Sequence, residues 1–515
     1  MPAESMIAIT GNNLSLAEVS SVADMGSQVE LNENAREGVE AASQWVAAIV
    51  ERGKPVYGIN TGFGVFSNRT IDKADIQALN RNLIISHAVG TGPALPNNVV
   101  RAAMLIRANT LANGNSGNRV EILDTLIAML NLGVTPIIPS QGSLGSSGDL
   151  APLAQLALTL SRDEEDQEGE SGMALIGERE LSGKAAMAEL GIERPILGPK
   201  EGLAITNGAT FSAAIAALAL TRSMRLIELS EMALAMSLEA LRGRSAAFDK
   251  RIHKARGHSG QIAVAAAIRK LIAGSTLIDS GEQVQDAYSL RAAPQVQGPV
   301  RECIENVGEI ILREINASTD NPLIFGEAES ISGANFHGQP VAQAMDFLKI
   351  SLSELGAIAE RRIFLLTDGN ANFGLPAMLV ANEEAAGLNS GVMMLQYTAA
   401  SLALENQSLA SPDSVLSLPS SGGKEDHNAN AMTAARHAAQ ILSNVEHIVA
   451  TELYVAARAL DLRLMESSKL RPGDAVAAAL QAIREVVPFQ GNDALWGPEL
   501  EELKEKALAG QILVD

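Results

Sequence analysis

The stretch Phe211–Leu241, FSAAIAALALTRSMRLIELSEMALAMSLEAL, decides the fold class. It is built almost wholly from Ala, Leu, Ile and Met with few charges, which predicts one long helix buried on most of its sides. The scarcity of β-branched and aromatic residues argues against strand. The same pattern returns at Gln343–Leu366, Glu383–Leu409 and Ala429–Leu464, and the tail Leu470–Asp515 reads as two shorter amphipathic helices around Trp496. Long helices joined by loops predict an antiparallel bundle of about five members. The expected fold is all-α, with an N-terminal loop-rich domain over 1–209 and an elongated helical bundle over 210–515. Within the first, Ala35–Arg52 reads as an amphipathic helix with Trp45 on its apolar face. Val99–Leu132 also carries a helical pattern, and Pro136–Pro139 leads on in an extended conformation.

Composition supports packed helices and narrows the partners. Hydrophobic residues are 47% of the 515 and aromatics only 3%, so the core is aliphatic. A formal charge of -21 argues against nucleic acid or an anionic membrane as a partner. A single cysteine, Cys303, rules out an intramolecular disulfide and a cysteine-based zinc site. The histidines show no His-x-x-x-His pair, so no metal is expected. No basic n-region with an apolar core opens the chain, and no long stretch is wholly apolar, so a cytoplasmic protein is expected.

Working back from the bundle, the stretch Gln141–Gln155, QGSLGSSGDLAPLAQ, is the most informative loop. Gly142, Gly145 and Gly148 permit tight turning, and Asp149 with Pro152 reads as a helix start. The spacing alone suits a capped turn or an anion cradle; no Gly-Lys-Ser/Thr follows, so it is no Walker loop. Val56–Gly64 is a second glycine-spaced loop, holding Tyr57, one of four tyrosines. Ser161–Gly172 is a run of acids that reads as a solvated surface loop.

The wording of these loops, GSLGSSGDLAPL at 142–153 and YGINTGFG at 57–64, resembles two signatures of the histidine and aromatic amino-acid ammonia-lyases. Further likenesses fall in order at Ser86-His87, at Asn207 in Lys200–Gly208, at Gln283–Arg291, at Ser318–Leu323, at Gly333–His337 and at Glu425-Asp426-His427. The resemblance spans roughly Val56 to Asn428. It departs from the family at Ser146, where Ala is usual, at Ala287, where Pro is frequent, and at Lys424, where histidine-specific members carry Gln.

That likeness implies a mechanism. Ser146-Ser147-Gly148 would cyclise into a 4-methylidene-imidazol-5-one, an electrophile made from the chain itself, so no external cofactor is needed. Glycine permits the geometry and Ser147 supplies the hydroxyl that leaves; the Ser146 side chain lies outside the reacting bonds. By the same likeness Tyr57 removes the substrate's β-proton, Asn207 lies against the electrophile, and Tyr288 and Gln285 help position it and the leaving amine. Arg291 takes the substrate carboxylate, Phe336 walls the pocket, and His87 and Glu425 meet the side chain, with Lys424 expected to face away. An ordinary tyrosine is rarely ionised near pH 7, a deficit of about 4 kcal/mol, so either the Tyr57 pKa is lowered or alkaline conditions are preferred. The expected activity is elimination of ammonia from histidine to give urocanate by a homotetramer with shared active sites. The alternatives are a phenylalanine or tyrosine ammonia-lyase, a 2,3-aminomutase on the same electrophile, or a non-catalytic helical scaffold.

Overall fold

The computed structural model describes residues 6–327 and 329–513. It is predominantly helical, with only short strands. The predicted long helix runs over Thr210–Ala240, and its partners over Gln339–Thr367, Met393–Leu409 and Ala431–Met465. The third begins ten residues later than its pattern suggested. Gly387 and Gly391 take left-handed φ of 91° and 62° there and end the regular pattern before Met393. The tail forms Asp474–Val486 and Trp496–Leu508, as expected. Val99–Leu132 divides into Asn97–Ala112 and Val120–Leu132. The helix Ala293–Glu314 carries Pro299 inside it.

Two units emerge, and they do not follow chain order. One comprises Met1–Thr221, Val307–Asp346 and Pro412–Arg436; the other Arg222–Asn306, Phe347–Ser411 and His437–Asp515. Two consecutive domains, 1–209 and 210–515, therefore do not describe this division. Long helices run on through any boundary drawn at a loop: the chain passes from one unit to the other within Thr210–Ala240.

In the first unit Asn97–Ala112 is almost fully buried beside Val120–Leu132, while Leu150–Leu160 packs against Ile76–His87 and Glu201–Thr206. Antiparallel strands Thr91–Ala94 and Pro139–Gln141 lead into the loop at 142–149. Trp45 packs against Val46, Ile49, Ile59 and Ile324. The acidic run is less solvated than predicted, because Arg194, 4% exposed, pairs with Asp166, and the buried Arg81 donates to the Glu170 carbonyl at 2.8 Å.

In the second unit the helices are tied by an ion pair closed off from water. Arg362 holds Glu452 through Nε and Nη2 at 2.6 and 2.7 Å, both side chains fully buried, and Ser237 Oγ donates to the same carboxylate at 2.7 Å. By length and composition Thr210–Ala240 could cross a membrane, yet 78% of its most apolar window is buried inside the protein. Outward-facing apolar side chains collect on other helices: Met394, Tyr397 and Leu404 lie on one face of Met393–Leu409, each more than half exposed.

Candidate active site

A cavity of about 810 Å³ opens in the first unit beside the glycine-rich loop. The turn after helix Glu33–Glu51 brings Tyr57 to its wall, helix Ile76–His87 brings His87 at its last turn, and the loop before helix Leu150–Leu160 brings Ser147. Asn207, Phe336 and Glu425 line it too, so six predicted site residues meet at one space. Phe63, Phe66 and Leu203 give it apolar walls.

The glycine-rich loop is held by backbone from three directions. Asn430 N donates to Leu144 O at 2.7 Å, Gly338 N to Gly145 O at 2.9 Å, and Asp149 N to Gly208 O at 2.9 Å. Ser146 is buried, donating to Leu144 O at 3.2 Å and accepting from Ala429 N at 3.0 Å. The Ser147 carbonyl takes two donors, Asn207 Nδ2 at 2.7 Å and Gly208 N at 3.3 Å. Gly148, at φ 84°, lies so close to Gly208 that a Cβ would run into its backbone. Only glycine fits this contact, and the close, donor-rich cradle around 146–148 suits a cyclised triplet.

Asp149 does not cap its own helix through its side chain; the fully buried carboxylate reaches the start of the next long helix instead. It accepts from Ser212 N at 2.7 Å, Ser212 Oγ at 2.9 Å and Ser143 Oγ at 2.7 Å. Burial pushes its pKa up and these donors pull it back. Beneath lie charges that the sequence pattern did not single out. Lys200 and Asp320 form a fully buried pair at 2.6 Å, Arg107 is fully buried, and burial pushes Glu314 up to about 7. The one legible signal was an arginine directly after the apolar run Ala102–Ile106.

One of the two alternatives for Tyr57 falls away, and the expectation for Lys424 needs correction. Burial raises the Tyr57 pKa above its ordinary value, with Glu425 and Asp320 adding to the rise and a backbone bond from Gly64 opposing it. Within one chain the surroundings of the phenol favour its protonated form. Lys424 does not face away: it lines the cavity with Glu425. Ser420–Glu425 is a closed turn, with Ser420 N donating to Glu425 O at 2.8 Å and Gly422 and Gly423 at left-handed φ, so neighbours do not alternate faces. Among the described residues no ion pair joins Lys424 to Glu425, whose Oε2 accepts from Ser420 Oγ at 3.0 Å.

His87 is pushed below its ordinary pKa by burial, against the pull of Leu83 O and Glu425, and stays neutral near pH 7. His337 lies beside His427, the rings stacked at 6.1 Å, and does not line the cavity. Gln285, Tyr288 and Arg291 belong to the second unit and are absent from the cavity wall. Tyr288 is 73% exposed, with the Arg291 guanidinium 4.8 Å from its ring centre and Arg291 Nε donating to Asp286 O at 2.9 Å.

Known proteins match this chain over nearly its whole length. The family model for aromatic amino acid lyases matches residues 14–485. Histidine ammonia-lyase of Natranaerobius thermophilus is 42% identical, over 99% of this chain and 98% of its own. The crystal structure of histidine ammonia-lyase from Trypanosoma cruzi superposes with TM-score 0.89 at 35% identity, covering 99% of this chain and 94% of that one. Tyrosine aminomutase from Streptomyces globisporus superposes at 0.91 and 35% identity, over 99% and 98%. The chain belongs to the aromatic amino acid lyase family.

Proposed function

We infer that this chain is an ammonia-lyase that converts L-histidine to urocanate, on an electrophile formed from Ser146-Ser147-Gly148. The observation that carries the reading is the meeting of Ser147 with Tyr57, Asn207, His87 and Glu425 around one cavity. The cyclised triplet, when present, supplies an electron-poor methylene that turns the substrate's amine into a better leaving group.

The chain's own residues supply the rest. Asn207 Nδ2 and Gly208 N point at the Ser147 carbonyl oxygen and stabilise negative charge building there, as paired donors do at an oxyanion. Tyr57 takes the β-proton onto its phenolate oxygen; with its pKa raised, activity needs alkaline conditions or a cation from outside the chain. A neutral imidazole has one donor and one acceptor, and neutral His87 with the Glu425 carboxylate can answer both. Phe336 closes a wall against water.

The carboxylate partner comes from elsewhere in the assembly. Arg291 is best suited by its planar fork, and among the described residues its Nη1 and Nη2 make no hydrogen bond. We place Arg291, Tyr288 and Gln285 of one copy at the cavity of another, in a homotetramer held by exposed apolar faces such as that of Met394, Tyr397 and Leu404. Oligomerisation would also keep those faces from water in the cytoplasm.

The test is ammonia release from a panel of amino acids. Histidine should exceed phenylalanine by about 10⁴-fold in kcat/KM, because a phenyl ring cannot replace the hydrogen bonds that an imidazole makes with His87 and Glu425. Cinnamate formed faster than urocanate would contradict the histidine reading, and His87→Leu should narrow the preference.

A further inference from the structure

Gly208 is confined on two sides. Toward the loop it faces Gly148, and away from the loop it meets Arg107 and Thr319. A Cβ on Gly208 would lie 2.8 Å from Arg107 Nη2 and would run into the Thr319 carbonyl. The turn that carries Asn207 and Gly208 therefore has no room to retreat from Ser147. One guanidinium spans this turn: Arg107 Nη1 donates to Ala204 O at 3.2 Å and Nη2 to Thr210 Oγ1, while Nε has no partner.

A cation here is an expensive way to fill space. Arg107 is fully buried, and among the described residues it hydrogen-bonds to no carboxylate. Burial pushes its pKa down to about 10, so it is still charged near pH 7, with Asp320, Asp149 and Glu314 as its surrounding countercharges. An apolar side chain would pack the same helix, Asn97–Ala112, without that desolvation. What only a forked donor does is hold residues 204 and 210 at a fixed span.

Resting on the ammonia-lyase reading, we propose that Arg107 is a positioning residue for ring closure in Ser146-Ser147-Gly148, setting the turn 204–210 against the loop. In that closure the Gly148 nitrogen forms a bond to the Ser146 carbonyl carbon. The carbonyl oxygen leaves as water with the two amide protons of Gly148 and Ser147, and the Ser147 hydroxyl leaves as a second water with its Cα proton. A C=N bond from the Ser146 carbonyl carbon to the Ser147 nitrogen and a C=C bond between Ser147 Cα and Cβ form as the two waters leave; both steps are dehydrations, so no oxidant or reductant is needed. Arg107 acts by holding Gly208 against Gly148 and by aiming Gly208 N and Asn207 Nδ2 at the Ser147 oxygen.

The test is intact mass of full-length protein for wild type, Arg107→Lys, Arg107→Gln and Thr210→Val, each checked for wild-type helicity and assembly. Wild type should weigh about 36 Da less than its sequence, two waters lost. Arg107→Gln should show a majority of chains at sequence mass, and Arg107→Lys and Thr210→Val a mixture. In each, kcat should fall with the unclosed fraction while KM stays within about twofold, since the closed chains are unaltered. Full closure in a folded Arg107→Gln would overturn the proposal. Should that variant fail to fold, Thr210→Val decides by the same readout: full closure overturns the proposal and a mixture supports it. A wild type at sequence mass would overturn the lyase reading itself, an outcome distinct from closure that ignores Arg107.

Discussion

The two loops that bear most of the predicted chemistry are built in opposite ways. Residues 144–149 are gripped by backbone donors from residues 208, 338, 429 and 430, with Ser146 and Asp149 buried. Residues 284–291 are anchored by the buried Asp286 and Leu290 but present open side chains: Val284 is 93% exposed and Tyr288 73%, and Arg291 keeps free donors. Precision in the first is a product of one chain's folding. The second has the chemistry but not the enclosure, which is what a segment completing another copy's site would look like. On the function proposed above, the contrast separates making the electrophile, a matter of one chain, from binding the substrate carboxylate, a matter of the assembly.

The largest effect should come from the charges under the first loop. Lys200→Met leaves Asp320 buried without its partner and should destabilise the fold by about 3–5 kcal/mol, read from urea unfolding. A change under 1 kcal/mol would mean that the grip does not rest on that pair. Asn207→Ala removes one donor from the Ser147 oxygen and should lower kcat by about 10²–10³-fold with KM little changed. Equal loss in a chain that also lacks the mass decrement would trace the defect to closure instead.

Substitution in the open loop should act differently. Arg291→Ala should raise KM by roughly 10–100-fold, the worth of a charge-assisted hydrogen bond, and leave the mass decrement intact. Loss of the decrement would erase the distinction between the two loops. The smallest effect is graded with pH. Because burial raises Tyr57, the ionised fraction grows about tenfold per unit below its pKa, and kcat/KM should climb from pH 7 toward pH 9. A flat profile would show that the assembly supplies a cation that the single chain lacks.

The sequence exposed elements whose cause is local. Phe211–Leu241 could be little other than a helix, and Asp149 with Pro152 marked the start of Leu150–Leu160 to the residue. The meeting of Tyr57, Ser147, Asn207, His87, Phe336 and Glu425 was legible through the wording of the loops, since spacing along the chain does not reveal a shared cavity. Long-range features stayed hidden. That Val307–Asp346 and Pro412–Arg436 fold into the first unit depends on packing between distant segments. Arg107 is one charge inside the helical pattern Val99–Leu132, and the contacts that single it out exist only once residues 204 and 210 are beside it. Lys424 was misplaced by a rule for helices and strands applied to a turn closed on itself.

Complementation between copies tests the central distinction most directly. Tyr57→Phe chains, inactive or nearly so, and Arg291→Ala chains, impaired at substrate concentrations below the raised KM, would be co-expressed with different tags and the mixed oligomers purified and assayed at low substrate. Activity well above that of either parent is the predicted result, because some cavities then combine an intact Tyr57 with an intact Arg291 from another copy. Mixed oligomers with no more activity than their parents would contradict it, placing both residues in the site of one chain.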